Sequence, residues 1–168
     1  SIFNQLTGLG QIIGNWPGKT VEKAEGMLLH HGKHIKVIDL PGIYSLSTYS
    51  QEEIVSRDFI ALEHPDVVVN VVDATALERN LFFTLQLLEM NTPLVIGLNL
   101  VDVAKKKGIT INEKKLQKIL HTPVVPTIAT KGIGVHEIVD KALEQTSRPP
   151  PEKNHAIHYG PEIETRIE

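Results

Sequence analysis

The sequence predicts an α/β protein built on a doubly wound, mostly parallel sheet. Three observations carry that prediction. Short runs rich in β-branched residues occupy 67–73, 94–99 and 124–128, helical spacing separates them, and polar residues gather just past the strand ends. Strands and helices alternating at this spacing wind a parallel sheet, and such sheets bind ligands beyond the carboxyl ends of their strands.

Taken in order, Ser1 to Gly8 reads as the tail of a helix, with Ile2, Phe3 and Leu6 on one face and Gly8 as the stop. From Leu9 to Gly26 the pattern is aperiodic, and Gly10, Gly14, Gly18 and Pro17 predict a long loop of the kind that is usually functional. Met27 to His30 and Ile35 to Asp39 flank a His-Gly turn, which predicts an antiparallel hairpin. Val37-Ile38-Asp39 is expected to be a buried strand that delivers its carboxylate to the sheet edge. Pro41-Gly42 then turns the chain, and Gly42 can present a bare N–H to an approaching phosphate oxygen.

Ser50 as N-cap and Glu53 as its capping-box partner predict a helix to about residue 63, stopped by Pro65. Val67-Val68-Val69-Asn70-Val71-Val72-Asp73 predicts a strand buried on both faces. A helix over 77–90 follows, its stripe assigned to Leu81, Leu85 and Leu88, and then the strand 94–99. A helix over 112–120 leads to the strand 124–128, where Pro123 and Pro126 predict an edge position. A last helix spans 135–145. Residues 1–147 thus form one domain, Arg148-Pro149-Pro150-Pro151 is a stiff linker, and 152–168 begins a helical domain from Pro161.

Bulk properties narrow the function. With 168 residues, 41% hydrophobic and 22% charged, the chain can bury one good core and is no disordered segment. A net charge of −3 gives no electrostatic reason to expect a nucleic-acid partner. The absence of cysteine excludes disulfides and thiolate metal sites and fits a reducing compartment. No apolar run reaches the roughly 20 residues that span a bilayer, so this part is expected to be soluble and cytoplasmic.

The chemistry concentrates at three successive strand ends: Asp39 with Gly42, Asn99 with Asp102, and Ala129-Thr130-Lys131-Gly132. An amide and a carboxylate three residues apart beyond a buried strand suit a purine. The amide meets N7 and O6, and the carboxylate takes the N1–H and 2-amino donors that guanine has and adenine lacks. The Ala129 N–H is a candidate donor to the base oxygen. Other signals have plainer readings. His30, His31 and His34 are expected on the solvated surface rather than as iron ligands, Asp73 as a strand-end cap, and Glu78-Arg79 as a helix ion pair. Lys105-Lys106-Lys107 reads as a solvated helix end, and Trp16 as a switch aromatic more than a core anchor.

Over residues 1–147 the chain resembles the GTPase domain of the ferrous iron transporter FeoB. The stretches that carry the resemblance are Gly14-Asn15-Trp16-Pro17-Gly18-Lys19-Thr20-Val21-Glu22, which is similar to that family's first switch, Asp39-Leu40-Pro41-Gly42-Ile43-Tyr44-Ser45-Leu46, and Val72-Asp73-Ala74-Thr75-Ala76-Leu77-Glu78-Arg79-Asn80-Leu81. Asn99-Leu100-Val101-Asp102 lacks the lysine of most base-reading motifs, as that family's motif typically does. The resemblance implies a P-loop GTPase fold of the Ras-like, TRAFAC type, with GTP or GDP and Mg²⁺ as cofactors. It implies that Gly18, Lys19, Thr20, Val21 and Glu22 face the nucleotide, with Thr20 on Mg²⁺ and the γ-phosphate. Asp39 would hold a Mg²⁺-bound water, and Leu40, Pro41 and Gly42 would run past the γ-phosphate, which the Gly42 N–H contacts. Thr20, Asp39 and Gly42 are therefore the expected catalytic positions. Asn99, Leu100, Val101 and Asp102 would read guanine, and Ala129, Thr130 and Lys131 would line the base pocket.

Some features depart from the usual pattern. Gly18-Lys19-Thr20 is not a phosphate loop, because Ile13 stands where that motif requires glycine and no strand-to-helix context surrounds it. Lys19 stands where the family usually has an apolar residue. The resemblance places the true phosphate loop just before Ser1, with its strand between the Asp39 strand and the 67–73 strand. The chain is therefore expected to be part of a larger protein, and to fail to bind nucleotide if that segment is truly lost. Ile43 follows Gly42 where many GTPases carry a water-orienting Gln, so slow turnover is expected, with water placed by switch backbone or by a monovalent cation such as K⁺. The implied partners are covalently linked helical and transmembrane iron-permeation domains, oligomers being allowed, at the cytoplasmic face of the cell membrane. Two other readings stay open: a nucleotide-sensing module with negligible hydrolysis, and a ribosome-assembly type GTPase, which an attached basic RNA-binding domain would favour.

Overall fold

The computed structural model describes residues 2–8, 11–47 and 49–147. The expected linker, the segment His158-Tyr159-Gly160-Pro161 and the helix from Pro161 lie outside the described residues. The elements run α1 (Ile2–Thr7), β1 (Gln11–Asn15), β2 (Glu22–His30), β3 (Lys33–Asp39), α2 (Gln51–Glu63), β4 (Val68–Asp73), α3 (Leu77–Glu89), β5 (Leu94–Asn99), α4 (Val101–Lys106), α5 (Glu113–Leu120), β6 (Val124–Thr127) and α6 (Val135–Thr146). Short 3₁₀ turns at Ala74–Ala76 and Ala129–Lys131 follow β4 and β6.

The strands form an antiparallel sheet ordered β1-β2-β3 and a parallel sheet ordered β4-β5-β6. Among the described residues, strands β3 and β4 are each paired on one side only and not to each other, a break at the place where the resemblance implies an intervening strand. Pro126 falls on the edge strand β6, where a missing N–H costs no ladder bond.

Strand β5 explains why the parallel sheet needs helices on both faces. Its first five residues are all buried, and their side chains alternate between two cores. Leu94, Ile96 and Leu98 join Val72, Leu87, Ala104 and Leu120 on the face covered by α3, α4 and α5. Val95 joins Val125, Val135, Ile138 and Ile2 on the face covered by α6 and α1. Gly97 lets α6 approach: a Cβ there would stand 2.9 Å from Ile138 Cδ1. Burying a side chain the size of Ile96 or Leu98 stabilises the fold by about 1.5–3 kcal/mol.

The helix α2 starts as its sequence requires. Ser50 accepts from the Glu53 N–H at 3.1 Å, and the Glu53 carboxylate accepts from the Ser50 N–H at 3.3 Å. His64 ends the helix in the left-handed region at φ 47°.

Three expectations change. Residues 11–15 and 22–26, read as loop, form β1 and the start of β2, paired from Gln11 opposite Gly26 to Asn15 opposite Glu22. The signal is weak because Ile12 and Ile13 are 68% and 65% exposed, so no alternating apolar face marks the strand. Strand β4 is not buried on both faces, since Val71 at an edge of the sheet is 45% exposed. The buried residues of α3 are Thr84 and Leu87 rather than Leu85, and Thr84 anchors the helix by accepting from the Asn70 amide at 2.8 Å.

Candidate functional site

The carboxyl edge of the parallel sheet carries a row of polar residues in register: Asp73 opposite Asn99, and Asn99 opposite Thr127. Asp73 folds back to accept from the Thr75 N–H at 2.7 Å and is a strand-end cap, as expected. Asn99 is braced from β6. Its Oδ1 accepts from the Ala129 N–H at 3.0 Å and from the Thr127 hydroxyl at 3.3 Å. Two donors on one side fix the amide orientation, so Nδ2 is the side that offers protons. The Ala129 N–H, expected to meet a base oxygen, here holds Asn99 in place.

After Asn99 the chain turns through Leu100, a non-glycine residue held at φ 63°, ψ 29°. Left-handed backbone of this kind costs about 1–2 kcal/mol and persists where the surrounding structure demands it. It sets Asp102 in the first turn of α4. Asp102 Oδ1 is buried and has no hydrogen-bond partner among the described residues. A buried carboxylate oxygen without a donor is costly, and it suits a ligand that brings donors with it.

The third piece is the turn 129–131, in which Thr130 and Lys131 are exposed. Its base is closed by the Ile128–Ile133 bridge, and Gly134 at φ 77° turns the chain into α6. Only glycine fits there, because a Cβ would lie 2.4 Å from the Pro126 carbonyl oxygen. Asn99, Leu100, Val101, Asp102 and Ala129-Thr130-Lys131 thus assemble at one sheet edge, two of them directly bonded.

The other predicted residues sit on the antiparallel sheet. Gly18, at φ 69°, Lys19 and Thr20 occupy the β1–β2 turn, with buried Val21 and exposed Glu22 after them. The turn is held by Trp16 N–H to Val21 O at 2.9 Å and Lys19 N–H to Trp16 O at 3.0 Å. Trp16 is half-buried and meets Phe59 of α2 edge-on at 5.4 Å, with Lys23 Nζ 5.0 Å from its ring centroid. The Thr20 hydroxyl donates to Gln51 Oε1 at 3.3 Å.

Asp39 ends β3, and here the expectation of a buried strand fails: β3 pairs only with β2, and Asp39 is exposed as a residue. Its carboxyl is nonetheless partly desolvated. That burial raises its pKa above the ordinary carboxylate value, and the Glu22 carboxylate pushes the same way. Leu40 and Pro41 are half-buried, and beyond its two chain neighbours nothing among the described residues comes within 4 Å of a Cβ placed on Gly42. Among the described residues no hydrogen bond joins Thr20 or Asp39 to each other or to the Asn99 cluster. Both offer hard oxygen donors, a hydroxyl and a carboxylate, the chemistry that Mg²⁺ takes.

Two plainer readings are also revised. Arg79 does not pair with Glu78; its guanidinium lies 4.1 Å over the Tyr44 ring, linking two of the distinctive stretches. His30 and His31 both bond Asp140 of α6, so of the three histidines of the hairpin only His34 makes no hydrogen bond among the described residues. The Lys105–Lys107 run is exposed at the end of α4, as expected. Sequence alone does not show the left-handed turn at Leu100, nor Gly134 and Thr127 as structural supports of the Asn99 cluster. Only the glycine carries a signal, standing at the start of an apolar-periodic helix.

Comparisons with known proteins converge. The model of the family described as ferrous iron transport protein B matches residues 1–142. The chain is 44% identical over 170 residues to an Fe(2+) transport protein A/Fe(2+) transporter FeoB fusion protein of Porphyromonas gingivalis, covering 100% of this chain and 20% of that protein. It is 43% identical over 169 residues to the Fe(2+) transporter FeoB of Staphylococcus aureus, covering 99% of this chain and 24% of that one. The chain thus spans no more than about a quarter of these relatives. Among solved structures, the cytosolic domain of T. maritima FeoB in its GMPPNP form superposes with a TM-score of 0.92 at 38% identity, over 99% of this chain and 65% of that chain. The FeoB G-domain from Methanococcus jannaschii gives 0.77 at 47% identity, over 88% of each chain. No helix among the described residues is long and apolar enough to cross a membrane.

Proposed function

The chain belongs to the ferrous iron transport protein B family, and from that premise we propose that it is the guanine-nucleotide-binding, GTP-hydrolysing part of a ferrous iron transporter. It regulates Fe²⁺ passage through membrane domains to which it is covalently linked, at the cytoplasmic face. The observation that carries the nucleotide reading is the pair at the end of β5: an Asn99 amide braced through Oδ1, and a buried Asp102 oxygen without a protein donor three residues on. A guanine supplies the N1–H and 2-amino donors that Asp102 lacks, and Nδ2 of Asn99 donates to N7 or O6.

On this reading Thr20 would hold Mg²⁺ through its hydroxyl and Asp39 through a bound water, and the ion would supply charge neutralisation at the phosphates. Asp39 fits the role, because a carboxyl partly desolvated beside Glu22 is relieved by a cation. The Gly42 N–H would contact the γ-phosphate, with uncrowded space on the Cα side of this glycine. The Thr20 hydroxyl is engaged by the Gln51 amide oxygen at 3.3 Å in this structure, an exposed contact that a metal-bound arrangement would replace. Phosphoryl transfer of this class depends on positioning and charge more than on covalent chemistry. Half-buried Ile43 supplies no group to orient water, which supports slow intrinsic turnover with water placed by switch backbone groups or by a monovalent cation such as K⁺.

Single-turnover GTP hydrolysis by the full-length protein, with and without K⁺, tests the proposal. Hydrolysis stimulated by K⁺ is expected. Nucleotide binding with no hydrolysis in either condition favours the second reading, a sensing module that cycles by exchange, for which Ile43 is the specific observation. Asp102→Asn should exchange donor and acceptor needs at the base and turn preference from guanine to xanthine nucleotides. Unchanged GTP affinity in that variant would overturn the base assignment.

A further inference from the structure

One carboxylate oxygen, Asp140 Oδ1 on α6, receives two imidazole nitrogens from the β2–β3 hairpin: His30 Nε2 at 2.6 Å and His31 Nε2 at 3.2 Å. These three atoms, each able to bind a metal, all lie within 4.8 Å of one another. The turn itself brings the histidines together. His31 at φ 48° and Gly32 at φ 73° form a left-handed pair, and consecutive side chains that would point apart in a strand both reach α6. The His30 ring lies nearly parallel to that of His136, 9° between planes and 5.8 Å between centroids. His136 stands one helical turn before Asp140, on the same face of α6. A cavity of about 520 Å³ opens beside the group, lined by His31, Asp140, Leu143, Glu144 and Ser147.

We propose that His30, His31 and Asp140 bind a divalent first-row transition-metal ion, with water from the adjoining cavity completing its shell. Two imidazoles and one carboxylate are the donors such ions take, whereas Mg²⁺ and Ca²⁺ prefer oxygen alone. Ligand atoms about 2.0–2.1 Å from a tetrahedral centre stand about 3.3 Å apart. The His31–Asp140 separation of 3.2 Å already matches, and the His30–Asp140 separation of 2.6 Å needs to open by less than an ångström. A clamp between hairpin and helix would need only His30, whose side chain is 10% exposed. His31, 73% exposed yet turned onto the same oxygen, keeps an open side toward the cavity. The site lies apart from the guanine-reading edge and does not depend on it.

The test is titration of Zn²⁺ into the chelator-stripped chain by calorimetry, with Co²⁺ absorption as the reporter of ligand type. Expected are one Zn²⁺ per chain, a Co²⁺ ligand-field spectrum that Zn²⁺ abolishes, and no displacement by excess Mg²⁺. His31→Gln and Asp140→Asn should each weaken Zn²⁺ binding by tenfold or more, while His34→Gln on the same hairpin leaves it unchanged. His31 is exposed enough that its variant keeps the fold, so the comparison with His34→Gln decides even if Asp140→Asn destabilises the chain. No saturable Zn²⁺ binding, binding that His31→Gln leaves intact, or displacement by Mg²⁺ would each overturn the proposal.

Discussion

Replacing Asn99 separates what its amide does for the fold from what it does for a base. In Asn99→Ala, the Thr127 hydroxyl, in a residue of 0% exposure, loses its acceptor, and so does the partly buried Ala129 N–H. Leaving a buried donor unsatisfied costs about 1–3 kcal/mol. Water can reach the edge turn more easily than Thr127, so the sum should be about 2–4 kcal/mol rather than twice the upper figure. With a urea m-value of about 2 kcal/mol/M, the unfolding midpoint should fall by about 1–2 M. Asn99→Asp keeps an oxygen at Oδ1 and both hydrogen bonds, so its midpoint should stay much closer to the parent. It replaces the Nδ2 donor with an acceptor, however, and in the full-length protein guanine nucleotide affinity should drop even though the domain stays folded. Urea melts followed by circular dichroism, paired with nucleotide titration, read the two effects separately. A parent-like midpoint for Asn99→Ala, or an equal loss in both variants, would refute the idea that Oδ1 is the brace.

Gly134→Ala must place a methyl 2.4 Å from the Pro126 carbonyl at φ 77°, so it should lower stability by more than about 2 kcal/mol and loosen the 129–131 turn, seen as a lower Tm and faster amide exchange there. Ser50→Ala removes the cap of α2 and should cost about 1 kcal/mol in chemical denaturation. Glu53 accepts from Ser47, Ser45, Ser50 and Tyr49, the Ser47 bond chiefly depressing its pKa below the ordinary 4.5. A depressed acid stabilises above its unfolded pKa and loses that contribution as pH falls through the folded value, so Glu53→Gln should flatten the stability–pH curve on the acid side of 4.5. Parallel acid limbs for parent and variant would contradict that assignment.

How much was legible depended on whether a residue's role is local. The α2 capping box, the β5 run and the Pro126 edge position are written in consecutive residues, and each stands where the pattern put it. Strand β1 was not legible, because exposed Ile12 and Ile13 carry no alternation and its partner is fixed only by the turn that follows. For the candidate site, Asn99 and Asp102 could be named from type and spacing. Their supports could not, since Thr127 lies 28 residues from Asn99 and the Leu100 conformation leaves no mark in composition. The His30–Asp140 contact spans 110 residues, and three histidines near a turn look like a solvated surface until α6 arrives beside them.

That helix sets the terms on which the two halves of the site can act together. The residues expected at the phosphates lie on or beside the antiparallel sheet, and those expected at the base at the edge of the parallel one, with no strand pairing between the sheets among the described residues. Helix α6 touches both. Its first residue follows Gly134, which closes the base turn, Ile138 packs against the place of a missing side chain at Gly97 in β5, and Asp140 holds the tip of the β2–β3 hairpin. Asp39 ends β3, the strand that leaves that same hairpin turn. Packed interiors resist continuous deformation. A displacement of the Asp39 turn relative to the Asn99 cluster must therefore strain or release the His30–Asp140 contact, unless the hairpin bends along its length. Asp140→Asn should then alter the mobility of the β1–β2 turn in amide exchange while leaving the Asn99–Ala129 bond protected.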